Sequence, residues 1–327
     1  MKIFVVGSLN MDLVIKAPYM PENGVTMHGE GFMTNPGGKG ANQAAAIGKL
    51  GGEVYMVGCV GEAFGDELKT TLCKYGVHTR YVDKLKGVSS GIAVTVVVDG
   101  DNRIILDAGA NGKVDAALID KALASAERGD YLVTQLEIEQ DMVAYALKSA
   151  KEKGMTTILN PAPAAKVSEE ILANSDFFIP NQSEAECYTG IYPKDEETAQ
   201  ACAKALAAQG VKNVVITMGG EGSACVCDGN YEKVDCFPAQ AIDTTAAGDT
   251  YVGALVTKLA EGASMREAMI FASKASSITV TRRGAQQSIP YRNEVDTLRS
   301  ERASRSYRGA FHVLNFLRIL WQLYSLL

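Results

Sequence analysis

The sequence predicts an α/β fold: a mostly parallel central sheet with helices on both faces and a small antiparallel β lid. Short runs rich in β-branched residues alternate with longer helical patterns along most of the chain, and this alternation is typical of a parallel sheet covered by helices. Two segments, residues 11–36 and 91–107, interrupt the alternation with strand-like patterns of their own. We call them the lid segments, because they are predicted to form a small sheet inserted into the α/β body.

The central elements follow one another in chain order. Apolar runs predict strands at residues 3–6, 54–57, 131–134, 156–159, 177–179 and 214–217. Helical spacing predicts helices at residues 42–50, 65–75, 140–153, 196–208 and 251–260. Four of these helices end near a glycine suited to the left-handed cap conformation, namely Gly51, Gly76, Gly154 and Gly210. Because ligands bind at the carboxyl ends of the strands in such sheets, the polar residues that follow each strand are the candidate site residues.

The second lid segment is predicted to be a β-hairpin. Its alternating runs, residues 91–98 and 103–107, are joined by Asp99-Gly100, a dipeptide that strongly favours a hairpin turn. The first lid segment is also non-helical. The two segments are therefore expected to form one small antiparallel sheet.

Composition and charge limit the classes of protein to consider. The chain has 327 residues, of which 47% are hydrophobic and 21% charged, and this globular composition excludes wholesale disorder. The net charge of −6 gives no general attraction for phosphate backbones or anionic membranes. The seven cysteines, an odd number, fit free thiols in a reducing cytosol better than a disulfide framework.

The sequence also bears on targeting. The N-terminal stretch MKIFVVGSLN contains an apolar run that is too short for a signal peptide and is predicted to be the first strand. Up to residue 299, no stretch approaches the roughly 18 apolar residues that a membrane span requires. We therefore predict a cytoplasmic protein that has neither a membrane nor a nucleic acid as its partner.

The strongest local motif is DTTAAGDT, from Asp243 to Thr250, followed by a helical pattern. Small residues at the start of a helix let backbone N–H groups approach an anion, and the helix dipole favours negative charge there. A carboxylate in such a turn, here Asp249, suits a base beside a transferring phosphoryl group. The alternative is that Asp249 only caps the helix that it begins.

A second motif is PGGKGANQ, from Pro36 to Gln43. It is not a Walker-A loop, because the G-x-x-x-x-G-K spacing is absent and no Ser or Thr follows Lys39. The glycines allow close backbone approach to a small ligand, and Lys39 and Asn42 supply directional hydrogen-bond donors. A glycine-rich turn that precedes a helix is the alternative.

Further polar residues follow the predicted strands. Asn10 and Asp12, two apart after the first strand, point the same way and suit adjacent sugar hydroxyls, although Asn and Asp are also common turn residues. Other candidates follow later strands: Glu137, Asn181, Glu184 and residues 217–222. Cys225-x-Cys227 is better explained by alternation in a strand than by metal binding, since no second Cys/His pair has zinc-site spacing.

Together these motifs resemble the ribokinase branch of the ribokinase-like (PfkB) sugar and nucleoside kinases. The resemblance covers residues 2–299, and its motifs occur in order: GSLNMD, GGKGANQA, QLE, NPAPA, PNQSEAE, TMGGEG, DTTAAGDT and TRRGAQQS. The motifs GGKGANQA and DTTAAGDT are specific, and their co-occurrence with the others argues against chance similarity. The resemblance implies a ribokinase-like kinase domain over residues 1–299, with the lid segments inserted.

The resemblance implies a role for individual residues. Asp249 would be the base that removes the proton from the sugar 5-hydroxyl. The residues implied to bind the sugar are Asn10, Asp12, Gly38, Lys39, Gly40, Ala41, Asn42, Glu137 and Asp249. Those implied to bind ATP are Asn181, Thr217, Met218, Gly219, Gly220, Glu221, Gly222, Gly248, Asp249 and Ser273. Ser273 departs from the Asn or His that ribokinases commonly place near the adenine.

The resemblance also implies two metal ions. Glu184, together with Asn181, would orient the Mg²⁺–phosphate assembly through water. A monovalent cation, K⁺, would lie beside the anion hole, several of its ligands being backbone carbonyls. The positions that match its ligands are Asp243, Thr245, Thr279, Arg282, Gly284 and Ser288.

The implied activity is ATP-dependent phosphorylation of D-ribose at O5, giving D-ribose 5-phosphate and ADP. A kinase for deoxyribose or fructose is the first alternative, and a degenerate kinase that only senses sugar or nucleotide is the second. Intact Asp249, Glu184 and Lys39 argue against the sensor. The resemblance also suggests a homodimer joined through the lids, whose strand edges can pair with another copy.

The chain departs from the family pattern after Arg299. The tail, residues 300–327, ends in an apolar run broken by Arg318. Asn315, Arg318, Gln322 and Ser325 share one face of the helix that this spacing predicts. An interfacial or self-associating helix is one interpretation; a helix packed on the body or on a partner, or an appendage without function from a shifted reading frame, is the other.

Overall fold

The computed structural model describes residues 1–99, 101–227 and 229–298. Three predictions concern residues outside this range. They are the turn at Asp99-Gly100, where Gly100 is not described, the end of the kinase domain at Arg299, and the tail at 300–327.

The described residues form thirteen strands and ten α-helices. The strands are β1 Lys2–Val6, β2 Asn10–Lys16, β3 Glu30–Gly37, β4 Glu53–Val60, β5 His78–Lys84, β6 Gly91–Val98, β7 Asp101–Asp107, β8 Tyr131–Thr134, β9 Thr156–Leu159, β10 Phe177–Phe178, β11 Asn213–Thr217, β12 Ser223–Cys227 and β13 Asn230–Val234. The helices are α1 Lys39–Lys49, α2 Gly65–Lys74, α3 Ala116–Leu123, α4 Gln140–Glu152, α5 Glu169–Ala173, α6 Gln182–Thr189, α7 Glu196–Ala207, α8 Ala247–Ala260, α9 Met265–Thr279 and α10 Arg292–Thr297.

The central sheet has nine strands in the order β13-β12-β11-β10-β9-β8-β1-β4-β5. Every pair from β11 to β5 runs parallel, and β12 and β13 add an antiparallel edge. The predicted mostly parallel sheet is therefore confirmed. All six predicted strands belong to it, and their carboxyl ends meet at one edge.

Two hydrophobic clusters cover the two faces of this sheet. Alternate residues of a strand point to opposite faces, so Ile3 and Val5 of β1 pack with α1, α2, α8 and α9. Phe4 and Val6 pack with α3, α4, α5 and α7 on the other face. Helices on both faces, as predicted, bury β1 completely at these four residues.

The lid segments form a separate four-stranded sheet in the order β3-β2-β6-β7. Its outer pairs, β2 with β3 and β6 with β7, are antiparallel as predicted. Its central pair, β2 with β6, runs parallel. The reason is that the chain passes through β4, α2 and β5 between the two lid segments and returns in the same direction.

The helix ends follow the predicted glycines. Gly51, Gly76, Gly154 and Gly210 all have positive φ, from 76° to 100°, as left-handed caps require. Helix α1 begins at Lys39 rather than at residue 42, so Lys39, Gly40 and Ala41 are already helical, and Gly38 precedes the helix with φ of 89°. Among the described helices, none is long and apolar enough to cross a bilayer.

The cysteines depart from the prediction at one pair. Cys225 and Cys227 form a disulfide, with their Cα atoms 5.9 Å apart. They are two apart on β12, so their side chains lie on the same face of the strand and close enough to bond. The prediction that all cysteines are free thiols is wrong for this pair. Cys59, Cys73, Cys187, Cys202 and Cys236 are free.

Candidate active site

The candidate site lies at the carboxyl-terminal edge of the central sheet, where α1 and α8 begin. Asp249 occupies the first turn of α8 and is 7% exposed. The Asn42 Nδ2 group donates a hydrogen bond to Asp249 Oδ2 over 2.9 Å, and Gln43 Nε2 donates to Asp249 Oδ1 over 3.1 Å. Two consecutive amides of α1 therefore hold one buried carboxylate.

The start of α8 is shaped to receive an anion. Ala246, which precedes the helix, adopts a left-handed conformation with φ of 59°. Ala247 N donates to Thr244 O over 3.2 Å, and Thr250 N donates to Ala246 O over 2.8 Å. The N–H groups at the start of a helix, here those of Gly248 and Asp249, lack partners within it. A Cβ added at Gly248 would meet nothing within 4 Å. The backbone at Gly248 thus faces open space beside Asp249.

A small cavity of about 260 Å³ lies between the sheet edge and the lid. Asn10, Asn111 and Glu137 contribute polar groups to its lining, and Leu106 and Ala108 come from the lid side. Asn111 Nδ2 donates to Asn10 Oδ1 over 2.7 Å. This cavity has the polar lining that a sugar requires.

The Glu137 carboxylate is fixed by two donors. The Ser8 hydroxyl donates to Glu137 Oε2 over 2.6 Å, and the Lys39 backbone N–H donates to the same oxygen over 3.0 Å. Ser8 and Asn111 were not among the predicted site residues. Asn111 lies in a short turn after β7, and only its place after a strand could have marked it.

The glycines of the GGKG motif allow a close contact within the protein. A Cβ at Gly38 would lie 2.8 Å from Asn10 N, and a Cβ at Gly40 would lie 2.7 Å from Ser8 N. Ala41 N also donates to Ser8 O over 2.9 Å. These residues bring α1 against the chain's own segment after β1, and a side chain at Gly38 or Gly40 would collide with that backbone.

Five ionisable groups influence one another across the site. Burial raises the pKa of Asp12 to about 7, and the nearby negative charges of Glu137 and Asp249 add to this effect. Burial lowers the pKa of Lys39, but the negative charges of Asp249, Glu137 and Glu184 outweigh it and raise that pKa above its ordinary value. Lys39 therefore stays protonated among the carboxylates.

Glu184 and Asn181 form the capping box of α6. Asn181 N donates to Glu184 Oε2, and Glu184 N donates to Asn181 Oδ1, each over 2.8 Å. Burial raises the pKa of Glu184, and its hydrogen bond from Asn181 and the charge of Lys39 only partly oppose this. Glu184 is thus a nearly buried carboxylate close enough to Lys39 and Asp249 for their charges to act on it.

A larger cavity of about 670 Å³ lies on the other side of the α8 N-terminus. Of the residues predicted to bind a nucleotide, it is lined by Asn181, Thr217, Gly219, Gly220, Gly222, Gly248 and Ser273. Met218 is buried beneath the turn and Glu221 is exposed, and neither lines the cavity. Tyr192, Cys236 and Phe237, which the sequence did not indicate, line it as well.

The predicted cation ligands lie on two adjoining loops. Asp243 Oδ1 accepts hydrogen bonds from Thr245 N over 2.9 Å and from Thr245 Oγ1 over 2.6 Å, and Asp243 Oδ2 accepts one from Gly284 N over 2.9 Å. Burial raises the pKa of Asp243, but these hydrogen bonds outweigh it and lower that pKa. Asp243 therefore remains ionised and joins the two loops.

The remaining predicted ligands are spread around this junction. Thr279 and Ser288 are buried, and their hydroxyls donate to backbone carbonyls at Ala275 and Ala285. The guanidinium of Arg282 pairs with Glu294, so Arg282 has only its backbone carbonyl to offer. In the part of the chain that the structure describes, no three His, Cys, Asp or Glu side chains are arranged so that they could together hold a metal ion.

Comparison with known proteins agrees with this arrangement. The family described as pfkB family carbohydrate kinase matches residues 1–292. Ribokinase from Haemophilus influenzae is 38% identical over 292 residues, which cover 89% of this chain and 95% of that protein. Ribokinase from Schizosaccharomyces pombe is 40% identical over 306 residues, covering 90% and 96% respectively. The structure of Arabidopsis thaliana ribokinase complexed with ribose and ATP is similar, with a TM-score of 0.83 and 33% identity over 90% of this chain and 96% of that one.

Proposed function

The chain belongs to the pfkB family of carbohydrate kinases, and on that basis we propose that it transfers the γ-phosphoryl group of ATP to O5 of D-ribose. The products are D-ribose 5-phosphate and ADP. The observation that carries this proposal is the position of Asp249. Asp249 directly follows Gly248, which lines the larger cavity. Its negative charge also acts on Lys39, whose backbone N–H donates to Glu137 in the lining of the smaller cavity.

In the proposed reaction Asp249 accepts the proton of the 5-hydroxyl as that oxygen attacks the γ-phosphorus. Removing a proton in this way contributes roughly 10²- to 10⁴-fold to rate. The N–H groups of Gly248 and Asp249 at the start of α8 stabilise the charge on the moving phosphoryl group. Phosphoryl transfer depends on such positioning and charge stabilisation more than on covalent chemistry.

The sugar is proposed to bind through groups whose hydrogen-bonding capacity is incomplete. Asn42 is 6% exposed, and its Oδ1 atom has no hydrogen-bond partner among the described residues, although Nδ2 is bonded to Asp249. A buried polar atom left without a partner is costly, and a sugar hydroxyl would satisfy it. Asn10, Asp12, Lys39 and Glu137 are proposed to bind the remaining hydroxyls.

ATP is proposed to occupy the larger cavity, with its phosphates directed toward Gly248. The hydroxyl of Ser273 donates to Asp235 O over 3.3 Å, and Phe237 and Tyr251 supply apolar lining. The adenine would therefore be bound mainly through apolar contacts. The triphosphate would extend along the glycine turn at 219–222 toward the α8 N-terminus.

Two metal ions are part of the proposal. Carboxylate oxygens suit Mg²⁺, and the buried Glu184, with Asn181, would hold the Mg²⁺–phosphate assembly through water. K⁺ would be held by Asp243 and oxygens of Thr245, Thr279, Arg282, Gly284 and Ser288, a set that consists only of oxygen donors. When bound, Mg²⁺ neutralises phosphate charge and K⁺ shapes the anion hole.

A homodimer through the lid is also proposed. The lid strands expose large apolar side chains: Phe32 is 63% exposed and Ile105 is 73% exposed. Apolar groups exposed on a sheet favour association with another copy. We further propose that residues 1–299 form the kinase domain and that 300–327 are an atypical tail, either an amphipathic helix or an appendage. The proposed location is the cytoplasm, because five of the seven cysteines are free thiols.

A panel of sugars in a coupled ADP-release assay tests the substrate. D-Ribose, 2-deoxy-D-ribose and D-fructose are compared at equal concentrations with Mg²⁺ and K⁺ present. The proposal predicts the highest kcat/KM for D-ribose. A preference for deoxyribose or fructose would identify a different sugar kinase, and binding of sugar without ADP release would indicate a sensor.

A further inference from the structure

Three buried amides lie behind Asp249, and the sequence motifs give none of them a role. Gln43, Gln135 and Asn160 are 0%, 1% and 9% exposed. We call them the amide network. Gln135 follows β8 directly and Asn160 follows β9 directly, so the ends of two neighbouring strands converge on Gln43 in α1.

The direction of every hydrogen bond in this network is fixed by a backbone carbonyl. Ile179 O can only accept, and Asn160 Nδ2 donates to it over 2.8 Å. Asn160 must therefore present Oδ1 to Gln43, and Gln43 Nε2 donates to it over 3.1 Å. On the other side, Gln135 Nε2 donates to Gln43 Oε1 over 2.6 Å. Gln43 is thus oriented by a donor at its oxygen and an acceptor at its nitrogen.

This orientation directs the second Nε2 proton of Gln43 to Asp249 Oδ1, over 3.1 Å. Asn42 holds the other oxygen, Oδ2, over 2.9 Å. Each carboxylate oxygen consequently has its own amide donor, and the plane of the carboxylate cannot rotate without breaking one of these bonds. An isolated carboxylate on the first turn of a helix would be free to change rotamer.

We propose that Gln43 is a positioning residue for the reaction, which aims the Asp249 carboxylate at the hydroxyl that it deprotonates. The amide network supplies the rigidity, because it ties Gln43 to the ends of β8, β9 and β10. This inference rests on the proposed function, in which Asp249 is the base. Gln43 itself touches neither substrate in this scheme, so its effect is on turnover rather than on binding.

The test begins with Gln43→Met, which retains an unbranched side chain and removes every hydrogen bond. Misplacing a reacting group by about 1 Å can cost on the order of 10²-fold in rate, and Asn42 still holds one oxygen, so a loss of about tenfold in kcat is expected. KM for ribose and for ATP should stay within about twofold. Gln209→Met, the same substitution at an exposed residue, is the matched control and should leave both constants unchanged.

A double-mutant cycle with Asp249→Asn separates positioning from a general structural role. If Gln43 acts through the base, Gln43→Met should change the residual turnover of Asp249→Asn by less than about twofold. An equal loss in both backgrounds, or a rise in KM with kcat unchanged, would overturn the inference. If Asp249→Asn itself keeps full turnover, it is the assignment of the base in the proposed function that fails.

A second variant covers the case in which Gln43→Met does not fold. Gln135→Met removes the donor that orients Gln43 and leaves Asp249 and both its amide donors in place. It should lower kcat by a few-fold with unchanged KM, and this loss should also disappear in the Asp249→Asn background. A kcat equal to that of the unaltered enzyme would contradict the inference.

Discussion

The Asp249 carboxylate is almost enclosed by protein and accepts hydrogen bonds only from neutral amides among its described contacts. Asp249→Asn keeps the shape of the side chain and removes the proton acceptor. Turnover should fall by roughly 10²-fold or more, the usual scale for loss of a general base. Sugar binding should largely survive, which isothermal titration with D-ribose would measure.

An exposed carboxylate provides the control for that change. Asp141 lies in the first turn of α4 and is exposed, so Asp141→Asn alters the same charge without touching the site. Its turnover should equal that of the unaltered protein. Near-normal turnover of Asp249→Asn would remove Asp249 from the role of base.

Asp12 should make stability depend on pH. Its pKa in the folded protein is raised to about 7 from an ordinary 3.8, so between these values the folded state binds more protons than the unfolded state. The free energy of unfolding therefore falls as pH rises from about 4 through 7. Asp12→Asn does not titrate and should be more stable than the unaltered protein at pH 8, by on the order of 4 kcal/mol, while weakening sugar binding.

Thermal unfolding of both proteins at pH 4.5 and pH 8 checks this expectation. The difference in stability between Asp12→Asn and the unaltered protein should be large at pH 8 and small at pH 4.5. For Asp141→Asn, the difference from the unaltered protein should not change with pH in this way. A difference of the same size at both pH values would mean that the Asp12 carboxyl is not held largely protonated by its surroundings.

The sequence could indicate some residues of this site and not others. Asp249 and Asn42 lie within short motifs, and their chemistry is readable from the motif alone. Asn111 and Gln43 act through contacts with residues 101 and 206 positions away. No local pattern encodes such a partner, so only the folded chain could reveal them.

At the scale of elements, a substitution at the start of α8 should change stability and ATP binding in opposite directions. Gly248 lies in the helix, and an added Cβ would enter open space in the larger cavity. Gly248→Ala should therefore raise stability, by roughly 0.5–1 kcal/mol, because alanine is the better helix former. The methyl group would stand where the phosphates pass, so KM for ATP should rise at least several-fold.

Gly40→Ala is the comparison variant, because its added Cβ would lie only 2.7 Å from the backbone nitrogen of Ser8. It should lower the thermal unfolding temperature, whereas Gly248→Ala should not. Unchanged ATP kinetics in Gly248→Ala would show that the phosphates do not approach this helix end.

The loops joined by Asp243 predict how turnover depends on the monovalent cation in the buffer. If K⁺ binds there, it shapes the anion hole without touching the sugar. Turnover should therefore rise when K⁺ replaces Na⁺ at constant ionic strength. Asp243→Asn should abolish the response, and Asp141→Asn should retain it. A flat response of the unaltered protein to the two salts would count against the cation site.

Elements with strong periodicity were predictable, and elements defined by distant pairing were less so. Strands β8 and β9 coincide with their predicted ranges, because short apolar runs end at sharp turns. The parallel pairing of β2 with β6 was not predicted, since it joins segments about 80 residues apart. Strand β5 carries charged residues on an edge of the sheet, and its pattern gave no strand signal.

At the scale of the whole molecule, the site is assembled from two sheets. Helices α8 and α1, which begin at the edge of the central sheet, supply Asp249 and its two amide donors, and the segment after β8 supplies Glu137. The lid side supplies Leu106 and Ala108 above the smaller cavity. A kinase must exclude water from the attacking position, or ATP would be hydrolysed. A separate sheet that covers the sugar side is suited to this task.

The position of the phosphate in the product tests the central claim most directly. The enzyme is incubated with D-ribose, ATP, Mg²⁺ and K⁺, and the sugar phosphate is analysed by proton-coupled phosphorus NMR. Transfer to O5 predicts a phosphorus resonance split by the two methylene protons at C5, formed in a one-to-one ratio with ADP. A resonance coupled to the single proton at C1, or ADP with free inorganic phosphate and no sugar phosphate, would contradict the assignment of a ribose 5-kinase.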